Sequence, residues 1–320
     1  MSTPAESKTF DNGNGDKKPA EHRTGAAPVL WFLGLVFAAS WGVYLIQIRG
    51  GLRFDTDQFA HTPAAWLLLV TWIPGLAALL ITAVTEKGSL RRVADRLLLR
   101  PGTAGPYFLT ALLVPLVYGV IHGASWLAGF SQADLSLGAL NTFSSDPHDL
   151  TSLFTVMLPA SMLIGPLLQF VYALGEELGW RGFLLPRLMG LGKVPAYVIL
   201  GVIWGLWHAP LILVGFNYPG HPVSGVIMMC VVTSALGVFI NEMTLRSRSV
   251  LVAAFIHAAV NAQVQGIWMW LFPETNPLLG GSFGLTAALI WLAVGLLCAR
   301  AVTRLEARDR EYARYNSAAR

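Results

Sequence analysis

The sequence predicts an all-α fold, a polytopic transmembrane bundle of about eight helices around a polar intramembrane cavity. Two observations concern composition: 54% of the 320 residues are hydrophobic, and only 12% are charged. Soluble domains average roughly 25% charged residues, which excludes an ordinary soluble globular protein. The third observation is that the apolar runs are continuous and rich in Leu, Ala and Gly, whereas barrel strands alternate over roughly ten residues.

Eight apolar runs are long enough to cross a membrane, since a hydrocarbon core of about 30 Å needs roughly 20 helical residues. They cover residues 27–48, 64–85, 106–130, 152–175, 194–214, 223–241, 250–272 and 282–303. The predicted membrane domain is therefore 27–303. Residues 1–26 are expected to form a disordered cytoplasmic leader without a signal peptide pattern, and 304–320 a cytoplasmic tail.

The basic residues concentrate in alternate connections, which predicts the orientation of the chain because Lys and Arg are retained on the cytoplasmic side. Twenty of the 22 fall in segments 1–26, 86–105, 176–193, 242–249 and the tail from Ala299. The other connections hold Arg49 and Arg53 together with Asp134, Asp146, Asp149 and Glu274. Both termini are thus predicted to be cytoplasmic, in the plasma membrane of a bacterium. The basic excess follows from topology, so no nucleic-acid partner is expected.

Two adjacent carboxylates, Glu176 and Glu177, end the fourth apolar run, and Arg181 follows Glu177 by one helical turn. An acidic residue at mid-helix in a membrane costs roughly 2.5–3.5 kcal/mol, so it persists only when it has a partner or a function. We expect Arg181 to form a salt bridge with Glu177 and to leave Glu176 free to act. The alternative is that the pair only anchors a helix end at the headgroups.

Two later apolar runs each carry a histidine with a partner at helical spacing. Trp204 precedes His208 by four residues, and His257 precedes Asn261 by four, so each pair shares a helix face. A glutamate beside a histidine suits general-base activation of water. An imidazole and a carboxamide one turn apart suit the stabilisation of an oxyanion. Each histidine could instead only hydrogen-bond a neighbouring helix.

Other polar residues in the spans have structural interpretations. His122 is predicted to be structural, and Asn241 is predicted to be a helix-end group. Cys230 and Cys298 lie alone in different runs, so neither a disulfide nor a thiolate metal site is indicated.

These motifs together resemble those of the CPBP family (CAAX protease and bacteriocin-processing, also called ABI), intramembrane endopeptidases related to the Ras-converting CAAX endopeptidases. The resemblance covers roughly residues 150–265 and rests on Glu176, Glu177, Arg181, Trp204, His208, His257 and Asn261. The family usually has Phe where this chain has Trp204. We expect that difference to affect packing rather than chemistry.

The resemblance implies an endopeptidase that cleaves a membrane-associated peptide or protein within the lipid bilayer. Glu176 and His208 would activate a water molecule, and His257 with Asn261 would bind the developing oxyanion. The supporting residues would be Glu177, Arg181 and Trp204.

A metal is the open point of this interpretation, because the family was first described as metalloproteases. Glu176, His208 and His257 would satisfy a catalytic zinc site with an open position, but no His-Glu-x-x-His motif is present. We expect no required cofactor, with zinc as the alternative, since His257 and Asn261 make better sense as an oxyanion clamp.

Two other functions use the same residues. A noncatalytic scaffold or immunity protein would keep the fold without needing Glu176, and a proton-coupled transporter would use the buried carboxylates and histidines as a proton relay.

The depth of the two histidines in the membrane adds a structural expectation. His257 lies about 10–12 Å from the cytoplasmic start of its span and His208 roughly 20 Å from its own. For these residues to meet the glutamates, the fourth span has to continue past Glu176 through residues 182–185, with Pro159 and Pro166 bending or shortening it.

Overall fold

The computed structural model describes residues 26–54, 64–86, 89–143 and 147–318, which are almost entirely helical. The α-helices are α1 (Ala27–Arg49), α2 (Ala64–Thr85), α3 (Leu90–Arg96), α4 (Ala104–Leu127), α5 (Gly138–Phe143), α6 (Leu150–Ser152), α7 (Leu158–Glu177), α8 (Leu185–Leu188), α9 (Lys193–Trp207), α10 (Ala209–Ile212), α11 (Pro222–Ser247), α12 (Val250–Val264), α13 (Trp268–Leu271) and α14 (Leu285–Ala318). Two π-helical segments cover Leu153–Met157 and Leu178–Leu184, and a 3-10 turn covers Met189–Leu191. Two short strands, β1 (Ser131–Gln132) and β2 (Glu274–Thr275), pair antiparallel. The predicted all-α polytopic bundle is confirmed.

Seven helical stretches of the described residues are long and apolar enough to cross a membrane, in place of the eight predicted. They are Ala27–Arg49, Trp66–Thr85, Ala104–Leu127, Leu150–Leu191, Pro222–Ser247, Val250–Leu271 and Leu285–Leu305. The remaining predicted run, 194–214, holds α9 and α10 with a break at His208. With 15 residues α9 is about 22 Å long, which is less than a hydrocarbon core of about 30 Å. His208 therefore follows the end of a short helix.

The fourth span is one helical stretch of 42 residues, Leu150–Leu191. It begins at a capping box, in which the Asp149 carboxylate accepts a hydrogen bond from the Ser152 backbone N–H at 2.7 Å. The π-helical segment Leu178–Leu184 then carries the helix past the glutamates, as the depth argument requires. The interpretation of 176–193 as a basic connection is wrong at Arg181, because this residue lies within the helical stretch and is fully buried.

Contacts between connections support the predicted alternation of faces. At one end of the bundle, the Ser249 hydroxyl donates to the Arg100 carbonyl, and Lys193 Nζ lies 2.6 Å from Glu242 Oε1. Each of these contacts joins two of the segments rich in Lys and Arg.

The connections at the opposite end also contact one another. The Asp134 N–H donates to the Leu271 carbonyl at 2.9 Å, and the Phe54 N–H donates to the Val214 carbonyl at 3.0 Å. Strands β1 and β2 pair between the same two connections as Asp134 and Leu271. Residues 1–25, which make up nearly all of the expected leader, and Asp146 lie outside the described residues.

Helices α2 and α7 cross with their backbones in contact immediately before the glutamates. An ideal Cβ on Gly175 would lie 2.6 Å from the Thr71 carbonyl oxygen, and one on Gly75 would lie 2.6 Å from the Gly175 carbonyl oxygen. An ideal Cβ on Gly179 would lie 2.5 Å from Pro74 Cβ. The crossing has no room for a side chain, so glycine is required there. The crossing also holds the helix that carries Glu176.

We predict that Gly175→Ala destabilises the protein by about 1–3 kcal/mol, because the added methyl group meets backbone atoms that cannot move aside. Thermal unfolding of the detergent-solubilised protein, followed by tryptophan fluorescence, measures the effect.

The matched control is Gly34→Ala on α1, where an added Cβ has no atom within 4 Å. This change should leave the melting temperature unchanged or raise it, since Ala is the better helix former. Equal melting temperatures for Gly175→Ala and the wild type would contradict the close crossing.

Candidate functional site

Glu177 is the acceptor of two charged or polarised donors. Arg181 Nη1 lies 2.8 Å from Glu177 Oε1, and His257 Nδ1 lies 2.9 Å from the same oxygen. Glu177 and Arg181 are fully buried, and His257 is 5% exposed. The predicted salt bridge between Glu177 and Arg181 is present. Arg181 lies one turn after Glu177 in the same span, whereas His257 lies on α12.

Asn241 is a further hydrogen-bond partner of Arg181. This contact was not predicted from the sequence. Arg181 Nε donates to Asn241 Oδ1 at 3.0 Å, and Asn241 is fully buried on α11. The prediction of Asn241 as a helix-end group is therefore wrong. A carboxamide inside an apolar run was the available signal, since a buried polar group requires a partner.

Glu176 has a different set of donors. Trp204 Nε1 donates to Glu176 Oε2 at 2.9 Å, and Trp180 Nε1 makes a longer contact of 3.4 Å with the same oxygen. Glu176 is 5% exposed. Both donors are neutral indole N–H groups, so this carboxylate is positioned without a cationic partner at hydrogen-bond distance in the described residues. Trp180 follows Glu176 by four residues, a spacing that could have shown the contact from sequence.

Trp204 contacts four of the predicted site residues. Besides the bond to Glu176, its backbone carbonyl lies 2.8 Å from His208 Nδ1. Arg181 Cζ lies 4.5 Å from the centre of the indole ring, and the His257 ring packs edge-on at 5.2 Å between centroids. Trp204 therefore offers more than packing, because phenylalanine has no N–H to donate to Glu176.

The contact with Trp204 fixes the tautomer of His208. A carbonyl oxygen only accepts, so Nδ1 of the neutral ring carries the proton and Nε2 has the free lone pair. His208 is partly buried, and Trp207 packs edge-on against it at 4.9 Å between centroids. The imidazole therefore presents a basic nitrogen on the side away from Trp204.

Asn261 lies one turn after His257 on α12 and is partly buried. Among the described residues its carboxamide has no hydrogen-bond partner. The structure brings Glu176, Glu177, Arg181, Trp204 and His257 into direct contact. His208 joins this group through Trp204, and Asn261 through the helix that carries His257.

His257 bonds to Glu177 through Nδ1, and the pairing of its other nitrogen with Asn261 stays a prediction. Because an ionised carboxylate only accepts, Nδ1 carries a proton in this contact. His122, predicted to be structural, is buried between Trp268 and Phe272, at centroid distances of 5.5 and 5.4 Å.

The residues named for zinc do not fit a metal centre. Within the described ranges, no group of three His, Cys, Asp or Glu side chains is arranged to hold a metal ion. Glu176 and His257 instead make their closest contacts with Trp204 and Glu177. The metalloprotease assignment is not supported, and a metal-free reaction stays a prediction.

Comparison with known proteins adds the family. Residues 152–263, which include all seven predicted site residues, match the family model described as type II CAAX prenyl endopeptidase Rce1-like. The chain resembles this family and is a CAAX-protease-like endopeptidase. It is also 24% identical over 281 residues to the CAAX prenyl protease 2 of the archaeon Methanococcus maripaludis, in an alignment that covers 82% of this chain and 88% of the relative.

The match to this membrane protease family and the seven apolar helices support an integral, multi-pass membrane protein. The family identified from the sequence motifs is confirmed, and so is the endopeptidase class.

We predict that Trp204→Phe lowers kcat of this endopeptidase about tenfold or more. The substitution removes the N–H that positions Glu176, and a hydrogen bond to a charged group contributes about 1.5–3 kcal/mol. Steady-state peptide cleavage by the purified variant measures the loss.

Trp207→Phe is the matched control, because the described residues offer no hydrogen-bond partner to Trp207 Nε1. It makes the same chemical change three residues away and should retain most of the activity. An equal loss in both variants would show that the indole ring, and not its N–H, is what the site requires.

Proposed function

We propose that the protein hydrolyses a peptide bond of a membrane-associated protein or peptide with a water molecule activated by Glu176 and His208. One observation carries the proposal: the two adjacent carboxylates are held differently. Glu177 accepts from Arg181 and His257, whereas Glu176 accepts only from indole N–H groups within the described residues. Glu177 is thus engaged by its donors, and Glu176 is the carboxylate available to remove a proton from water.

Two features support the role of Glu176 and His208 in this first step. The bond from Trp204 uses Oε2 of Glu176, which leaves Oε1 to accept a proton from water. His208 Nε2 is the lone-pair nitrogen of its ring, as the contact with the Trp204 carbonyl requires. A water molecule that donates to both groups gains nucleophilic character at its oxygen.

Charge balance supports His257 as a cationic donor. Glu176, Glu177 and Arg181 together carry a net charge of −1, and a protonated His257 brings the buried cluster to zero. Buried charges are stable only when they are compensated. A protonated His257 bonds to Glu177 through Nδ1 and donates its second proton, on Nε2, to an oxyanion. The free carboxamide of Asn261 supplies the second donor.

The reaction follows from these assignments. The water oxygen attacks the carbonyl carbon of the scissile bond while Glu176 accepts a proton, and the carbonyl oxygen becomes an oxyanion held by His257 and Asn261. Collapse of the tetrahedral intermediate breaks the C–N bond. Glu176 returns its proton to the departing amine, so the glutamate is regenerated.

The substrate class is proposed from the relatives. The family description and the name of the archaeal protein both specify a prenylated CAAX sequence, so we propose a prenylated C-terminal peptide within the lipid bilayer as the first substrate to test. The predicted polar cavity, open to the cytoplasm, would admit it.

The depth of Glu177 and His257 supports access of the substrate from the end of the bundle that carries the Lys- and Arg-rich connections. An ideal Cβ on Gly182 would lie 3.0 Å from the Leu97 carbonyl oxygen, and α12 begins beside Leu98. Gly182 and the start of α12 are therefore at similar depth. Glu177 lies five residues before Gly182, and His257 lies seven residues into α12, so the two meet about 7–10 Å below that level.

We predict that Glu176→Gln and His208→Ala each abolish cleavage of a prenylated CAAX peptide while the protein remains folded. Each removes one of the two groups that accept protons from water. Mass spectrometry of the products, with metal analysis of the same preparations, measures both the reaction and any bound zinc.

Gln47→Leu on α1 is the control for handling and folding, because it removes a polar side chain and none of the proposed catalytic groups. Stoichiometric zinc that is lost with His208 would overturn the metal-free mechanism. Intact activity of Glu176→Gln would overturn the catalytic assignment and favour a scaffold. Solute flux that depends on Glu176, without a peptide product, would favour a transporter.

We further propose that both termini are cytoplasmic and that the protein resides in a bacterial plasma membrane. In a variant without Cys230 and Cys298, a cysteine at exposed Ser136 should react with a membrane-impermeant maleimide on intact cells. A cysteine at exposed Arg91 should react only after permeabilisation. The reverse labelling pattern would invert the topology.

A further inference from the structure

A pair of glutamines outside the proposed catalytic residues bridges α7 and α12. Gln169 Nε2 donates to Gln265 Oε1 at 2.8 Å. Both residues belong to stretches long and apolar enough to span a membrane. Gln169 is partly buried and Gln265 is exposed. Polar side chains at such positions are costly in lipid, so they mark either a partner or a function.

The bond between the glutamines uses only part of their hydrogen-bonding capacity. Each carboxamide has a carbonyl oxygen and an NH₂ group, and the described residues offer no partner to Gln169 Oε1 or Gln265 Nε2. If both amides are flipped together, one carbonyl oxygen and one NH₂ group of the pair again remain available, as an acceptor and a donor. A residue of an extended peptide main chain needs one acceptor for its N–H and one donor for its C=O.

The glutamines line a groove of about 360 Å³ between α7 and α12. Small residues form part of its floor: an ideal Cβ on Gly165 would lie 2.7 Å from Ala262 Cβ. The two helices therefore pack directly against each other beneath the groove.

The helical spacing aligns the pair with the catalytic residues. Gln169 precedes Glu176 by seven residues, and Gln265 follows Asn261 by four, so each glutamine shares a helix face with a residue of the proposed site. The rise along the helix separates them by about 10 Å and 6 Å. Two to three residues of an extended peptide, at roughly 3.3 Å each, cover that distance.

We propose that Gln169 and Gln265 form a subsite for the main chain of the peptide substrate, two to three residues from the scissile bond. Gln265 Nε2 donates to a substrate carbonyl, and Gln169 Oε1 accepts from a substrate N–H. The subsite rests on the proposed peptidase function. It recognises the extended backbone and leaves the side chains to other contacts.

The test measures binding of a fluorescent, prenylated CAAX peptide to Glu176→Gln protein, in which the peptide stays intact. Adding Gln169→Leu or Gln265→Leu should raise Kd about fivefold, the effect of losing one hydrogen bond. A second peptide carries an ester in place of the amide whose N–H meets Gln169. It should bind about fivefold more weakly than the amide peptide, and this difference should disappear in the Gln169→Leu protein.

Gln47→Leu, in the same Glu176→Gln background, is the matched control, because α1 does not line this groove; its Kd should be unchanged. A lower melting temperature with equal loss of binding for amide and ester peptides would assign the glutamines to helix packing and overturn the subsite. An unchanged Kd in both glutamine variants would also overturn it.

Cleavage by the wild-type enzyme separates the two proposals. Cleavage with no effect of the glutamine variants on binding retains the peptidase and rejects the subsite. Binding that depends on the glutamines, without cleavage by the wild type, retains the subsite and rejects the peptidase mechanism. Failure of the peptide to bind any form of the protein rejects both.

Discussion

The buried ion pair between Arg181 and Glu177 is the contact on which the site depends. Both side chains are fully buried, and removing one partner of such a pair costs about 3–5 kcal/mol because the other charge is left uncompensated. His257 and Asn241 bind the two ends of the pair. One electrostatic unit therefore joins the fourth span to α11 and α12, and it fixes the position of the histidine proposed to hold the oxyanion.

Neighbouring glutamates acquire different chemistry because their donors differ. Glu177 accepts from Arg181 and His257 through one oxygen. Glu176, the residue before it, turns to another side of the helix and accepts from Trp204 and Trp180. Trp204 also orients His208 through its carbonyl. Trp204 thus contacts both the carboxylate and the imidazole that are proposed to bind one water molecule.

The backbone next to the candidate site is irregular. The π-helical segment Leu178–Leu184 follows the glutamates directly, and such segments occur frequently at functional sites. On the other side, Gly75 and Gly175 bring α2 against α7 without intervening side chains. The glycines therefore hold the helix with the carboxylates close to α2, and α9 ends immediately before His208.

The sequence by itself determined the fold class, the family and the residue types of the site. Continuous apolar runs require helices in lipid, and charged residues within them require partners, so the Glu177–Arg181 pair followed from spacing along one helix. Which residues meet across helices was decided only by the tertiary structure. Spacing cannot show that His257 bonds to Glu177, that Trp204 donates to Glu176, or that Asn241 reaches Arg181, because these contacts depend on helix rotation and depth. The same limit explains why residues 194–214 were predicted to form a full span. Hydrophobicity indicates that a segment prefers lipid, but it does not indicate where a helix ends.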